Sequence, residues 1–143
     1  MRKDFVPHKQ ALALKDLGFD EPCQAIHYCM AFLLSYELLG KPYGWKRKEL
    51  SNLTNTVCKN IDNERLVTVP TFSQVFRWFR EKYELFHSTV YVDDNSGQGT
   101  FIYEILNKKG NQQQSGEYPE FDTYEEAELA CLSTLIEIVK NKN

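Results

Sequence analysis

Glycine is sparse, and the seven that occur are scattered, so no glycine-rich phosphate loop and no dinucleotide fingerprint can be assembled. There is no Gly-x-Ser-x-Gly elbow, and no Cys/His context of a known protease type. Four cysteines, Cys23, Cys29, Cys58 and Cys131, form neither a CxxC pair nor a dense framework. They read as reduced, mostly buried thiols of a cytoplasmic protein. No charge sign dominates: the net charge is -3 over 143 residues, which gives no global pull toward nucleic acid or an anionic membrane. The start, Met1 to His8, has no apolar core of a signal peptide. The longest apolar run, 22–39, is short and interrupted by Gln24, His27, Ser35 and Glu37, so no membrane span is expected.

What is present suits one soluble domain: 42% hydrophobic and 26% charged residues, in a chain long enough to bury a core without disulfides or metal. The richest segment is 70–86. Phe72, Val75, Phe76, Phe79 and Tyr83 recur at helical spacing and fall on one face. Thr71 and Gln74 match a capping box, in which each side chain satisfies a free amide of the first turn. Arg77–Glu81 and Arg80–Glu84 are i, i+4 pairs on the opposite face, which accounts for both arginines without a nucleic-acid role. Trp78 flanks the apolar stripe, as either a half-buried core residue or a contact anchor.

Around it, 7–17 predicts a short helix, with Pro7 at its first position and Gly18 as a left-handed stop. Residues 22–39, rich in Ala, Leu and Met, predict a buried helix, with a strand over 23–32 as the alternative. Residues 41–64 predict a long polar loop, and 65–69 a short strand. Residues 86–92 and 100–107 predict two strands around a polar turn. Phe86, Val90 and Val92 alternate with polar neighbours in the first, and Phe101, Tyr103 and Ile105 share a face in the second. A short edge strand is expected near 117–118. The last helix, 123–140, opens on a second capping box, Thr123 with Glu126. Its apolar face is read as Tyr124, Ala127, Cys131, Leu135 and Ile138, broadened by Leu132, Ile136 and Val139. The expected fold is a single α+β domain, a small antiparallel sheet with helices packed on one face.

Three blocks, Gln10 to Cys23, Phe72 to Tyr83 and Thr123 to Leu132, together resemble a family of small uncharacterised proteins of phages, prophages and mobile elements in Bacteroides-like bacteria. The resemblance covers a little over a third of the chain. It implies an accessory protein inside the cell, and it brings no activity, cofactor or catalytic residue. Residues 24–66 lie outside it.

Metal chemistry is weakly signalled. Cys23, His27, Cys29 and Cys58 lack the spacing of zinc knuckles. Asp93, Asn95 and Glu104 are spaced like parts of a calcium loop, but Gly97 and Gln98 stand where an oxygen ligand and a glycine are required. No cofactor is expected. The acids at 117–137, seven with no base, read as a solvated face plus helix-dipole partners.

The remaining signal is Lys41, Lys46, Arg47 and Lys48, interleaved with Tyr43 and Trp45. Such a segment binds an acidic protein surface, including the last helix of another copy, or nucleic acid through phosphates and stacking. The leading expectation is a non-enzymatic interaction protein that binds a protein partner or itself through Trp45, Lys46, Arg47 and Lys48, with Trp78. A nucleic-acid module using 41–48 is the alternative, disfavoured by the acidic balance, and an enzyme of unrecognised type comes third.

The helix assignment carries a stability prediction. Phe76, Phe79 and Leu135 should share one core, so Phe79→Ala should cost about 3–5 kcal/mol. Arg77→Ala, which removes one exposed pair, should cost under about 0.5 kcal/mol. Chemical denaturation of the two variants side by side checks this; equal stabilities would place the apolar face wrongly.

Overall fold

The computed structural model describes residues 4–23, 25–28, 54–56, 66–93, 99–114 and 118–142. Its elements are α1 (His8–Asp16), β1 (Ala25–Tyr28), β2 (Leu66–Val69), α2 (Phe72–Tyr83), β3 (Leu85–Asp93), β4 (Gly99–Asn107) and α3 (Tyr124–Lys142). The class is α+β, with antiparallel pairing throughout the described strands: β1 with β2, and β3 with β4. The chain divides into two compact units, Met1–Gln74 and Val75–Asn143, and α2 starts in the first and continues into the second.

In the first unit, α1 packs on β2. Pro7 is the residue before the helix, in extended conformation, rather than its first turn. The helix stops as expected at Gly18, whose φ of 81° places it in the left-handed region. Gly18 N–H reaches Lys15 O and Phe19 N–H reaches Leu14 O, so two otherwise orphaned carbonyls are satisfied. Phe19 and Leu14, which such a stop brings together, are both buried, with Val6, Ala11, Cys23, Val67, Val69 and Phe72. Buried Asn55 ties two distant backbone segments, donating to Phe19 O at 2.7 Å and accepting from Thr68 N at 3.0 Å. Beside it, the Asp20 carboxylate accepts from Thr56 N and Thr56 Oγ1. Partial burial pushes the Asp20 pKa up, but these bonds, with Thr54 and the Asn55 amide, hold it below the usual carboxylate value.

Residues 25–28 correct the expected helix over 22–39. They form a strand, with Ala25 opposite Val69 and Tyr28 opposite Leu66. Ile26 and Tyr28 are strand-forming residues, and pairing with β2 outweighs the helix propensity of Ala25. Pro22 and Cys23 are described and are not helical; residues 24 and 29–39 lie outside the described residues, as does almost all of the loop expected at 41–64.

The second unit holds Val75–Tyr83 of α2, the β3–β4 hairpin and α3. The capping box of α2 belongs to the first unit: Thr71 N–H donates to Gln74 Oε1 at 3.0 Å, and Gln74 N–H to Thr71 Oγ1 at 3.3 Å. The box at Thr123 and Glu126 also forms, with both bonds at 3.2 Å. Helix α3 packs on both strands of the hairpin. Its buried face is Ala127, Cys131, Leu132, Leu135, Ile136 and Val139; Tyr124, expected on that face, is 44% exposed. Phe76, Phe79 and Leu135 are all buried.

Glu84 joins α2 to β3 in a single residue, at a φ of 53°. That is the left-handed position in which a helix commonly ends, here occupied by a residue other than glycine. Glu84 also accepts an ion-paired bond from Lys108 at 2.7 Å, which ties the helix end to the segment after β4. This one-residue joint sets the phase of β3: Leu85 points inward and is buried, and Phe86 points outward.

The inward face of β3 also brings His87 flat against Phe76, with ring centroids 3.6 Å apart and 14° between planes. Burial, reinforced by the nearby charge of Arg80, lowers the His87 pKa to about 4. The unfolded chain therefore binds a proton that the folded one refuses between about pH 6.5 and pH 4. His87 should leave stability untouched above pH 6.5 and reduce it as the pH falls to 4. Allowing for solvent screening of a partly buried ring, the loss should be on the order of 2 kcal/mol. Urea denaturation at pH 7 and pH 4.5 should show this extra loss in the wild type and not in His87→Leu; equal acid sensitivity would contradict it.

Candidate functional site

The β3–β4 hairpin has two faces of different character. In an antiparallel pair, residues directly opposite one another point to the same side. The inner set is Leu85 with Asn107, His87 with Ile105, Thr89 with Tyr103, and Tyr91 with Phe101. Tyr103 and Ile105 are buried, and the Tyr103 hydroxyl shares a 2.8 Å hydrogen bond with Thr134 of α3. Tyr91 lies across Gly99, where any Cβ would run into its ring. An aromatic side chain laid over a strand glycine covers backbone that would otherwise be bare.

The outer set is Phe86 with Leu106, Ser88 with Glu104, Val90 with Ile102, and Val92 with Thr100. Phe86, Val90 and Val92 are 41%, 47% and 39% exposed. Four of the six large hydrophobic residues exposed among the described ones, these three and Tyr91, lie on the single strand β3. Solvent-facing positions of an antiparallel sheet are ordinarily polar. Here the outer face is a band of Phe, Val, Ile and Leu with one acid, Glu104, to which Tyr118 donates at 3.2 Å. It contains no basic residue.

The two edges of the hairpin also differ. The outer edge of β4 is sealed. Phe101 exchanges both backbone bonds with Phe121 at 2.8 Å, and Gln113 N–H donates to Ile105 O at 2.8 Å. The Gln114 side-chain amide imitates a peptide group: Oε1 accepts from Ile105 N at 2.6 Å, and Nε2 donates to Tyr103 O at 2.9 Å. These contacts replace the edge strand expected near 117–118; Tyr118 is not in a strand, and Glu117 is outside the described residues. No strand among the described residues flanks the outer edge of β3.

Of the expected binding residues, only Trp78 is among the described ones. Trp45, Lys46, Arg47 and Lys48 lie outside the described residues. Trp78 is 6% exposed, edge-on to Phe79 and Tyr83 at 5.1 Å, with the Lys82 ammonium 4.8 Å from its ring centre. It is a core residue in the structure and offers a partner little surface. Sequence reasoning recognised that Phe86, Val90 and Val92 alternate with polar neighbours but assigned that face to neither core nor solvent, so it did not single out the outer face. The available signal was on β4, whose Phe101, Tyr103 and Ile105 face demanded inward partners.

Reactive groups are few. Burial, with Glu128 adding to it, pushes the Cys131 thiol up to about 12, so it stays protonated and a poor nucleophile. No cluster of three His, Cys, Asp or Glu side chains able to hold a metal occurs among the described residues. Cys29 and Cys58, and residues 94–98 of the calcium-like spacing, are not among them. No described helix is long and apolar enough to cross a membrane. No family model, curated protein or solved structure matches the chain.

Gln114 supplies a prediction about the sealed edge. Gln114→Ala leaves a part-buried donor and acceptor unpaired and should cost about 1–2 kcal/mol in urea denaturation. The Ile105 amide should exchange with solvent faster. Gln112→Ala, at an exposed position joined through its backbone, should stay within about 0.5 kcal/mol. Indistinguishable variants would mean that the Gln114 amide does not seal the edge.

Proposed function

We propose that this chain is a non-enzymatic, cytoplasmic interaction protein that docks a protein partner on the outer face of the β3–β4 hairpin. The observation that carries the reading is the solvent exposure of Phe86, Val90 and Val92 side by side on one strand, backed by Ile102 and Leu106. An aligned apolar band costs solubility unless something covers it, and such bands are a common mark of protein-binding surfaces. The lack of any basic residue on this face supports a protein partner over nucleic acid, whose binding depends on cations meeting phosphates. The resemblance of residues 10–23, 72–83 and 123–132 to phage and mobile-element proteins supports an accessory role in such an element. The basic segment with Trp45, Lys46, Arg47 and Lys48 is a second contact that the same partner could use.

A photo-reactive amino acid placed at Val90 tests the reading in cells that carry the chain. Irradiation should yield discrete adducts with protein, and Val92→Lys in the same background should remove them. The same probe at exposed Lys140, on the far end of α3, should give none. Absence of adducts at 90, or equal adducts at 140, would contradict a docking role for this face.

A further inference from the structure

The open edge of β3 fits one occupant with particular economy, a second copy of itself. Residues Phe101, Tyr103, Ile105 and Asn107 of β4 direct their backbone groups away from β3, toward Phe121, Gln114, Gln113 and Asn111. The intervening residues of β4 therefore bond to β3, and their partners there are Phe86, Ser88, Val90 and Val92. It follows that Leu85, His87, Thr89 and Tyr91 present their backbone N–H and C=O groups to the opposite edge, where no described strand lies.

Natural edge strands are guarded by lysine, proline, a bulge or brevity. β3 has none of these. It runs nine residues in unbroken register from Leu85 to Asp93, without Pro, Lys or Arg. The sealing of the β4 edge by Gln114, Gln113 and Phe121 makes the contrast sharper, since no described strand guards the other edge of the same hairpin.

We propose that two chains pair β3 against β3 in antiparallel orientation about a two-fold axis at Thr89, a closer definition of the docking role above that rests on the same hairpin. In that register Thr89 faces its own copy, and His87 faces Tyr91 of the other chain, through backbone groups that no described strand pairs. Between these bonded pairs, Ser88 meets Val90, and Phe86 meets Val92, on the outer face. Strand residues 85–92 bear no acid and no lysine or arginine, so no like charges come opposite in the pairing. A heterologous partner would have to supply both this spacing and this apolar pattern; a second copy has them by symmetry. The result is a four-stranded sheet, β4–β3–β3–β4, whose outer bands join into one surface.

Light scattering of the purified full chain, from about 10 to 300 µM, tests the pairing. The mass should rise toward twice the 16.7 kDa of one chain. Val90→Lys, which installs the missing edge guard near the axis, should weaken association at least tenfold, with an unchanged melting temperature when both are compared dilute enough to be monomeric. Disulfide trapping fixes the register and does not depend on that variant folding well. Oxidising a mixture of Ser88→Cys and Val90→Cys chains should give a cross-linked dimer containing one of each, because these positions oppose one another as a non-bonded pair at disulfide distance. Ser88→Cys chains alone should give none beyond the wild-type background. A wild type that stays monomeric at 300 µM, or a mixture that cross-links no better than either variant alone, overturns the pairing. Photo-adducts of the Val90 probe with a different protein would then leave the docking role standing, whereas loss of both adducts and dimer would remove both.

Discussion

A β-strand sends alternate side chains to opposite sides, so a shift of one residue exchanges its buried and exposed halves entirely. In this protein that choice is made at Glu84, the single residue between α2 and β3. Its left-handed backbone turns the chain so that Leu85 enters the core. Everything else about the hairpin follows from that phase. His87 stacks on Phe76, Tyr103 and Ile105 face inward opposite Thr89 and His87, and α3 closes over this side. Phe86, Val90 and Val92 are left outside. The core is bought with polar or partly polar residues on β3, His87 and Thr89, while the more apolar half of the strand faces water.

This inversion is the reason to assign the hairpin a role in binding. A sequence under selection only for folding would place Val90 and Val92 inward and Thr89 and His87 outward. Local choices that conflict with burial mark places where something besides stability set the residue. The helices carry no such conflict. Both capping boxes form, and the buried face of α3 follows its sequence period except at Tyr124, which is exposed, and Ile138, which is half-buried.

Three helices and three strands were legible in the sequence: 65–69, 86–92 and 100–107 lie within a residue of β2, β3 and β4. Thr71 with Gln74, Thr123 with Glu126, and Gly18 at the end of α1 are local signals whose partners lie within four residues, and the structure realises all three. The rest depended on distant partners. Residues 25–28, for which a strand over 23–32 was only the alternative reading, became β1 through pairing with Leu66–Val69. The faces of β3 could not be told from β3 alone, since a two-residue alternation is symmetric until a partner such as the Phe101, Tyr103 and Ile105 face of β4 fixes the phase. Trp78 was read from the flank of its stripe as a half-buried core residue or a contact anchor; it is a core residue, and more deeply buried than that position suggested. The edge seal by Gln114 was invisible in a run that looked like a polar turn.

The central claim is that the apolar half of β3 faces solvent in the isolated chain. Methyl NMR with a soluble paramagnetic agent measures this directly. The account predicts strong relaxation enhancement at the methyl groups of Val90 and Val92, and little at Leu135 and Leu85, which are buried. Protection of Val90 and Val92 equal to that of Leu135, in a sample shown to be monomeric, would contradict it.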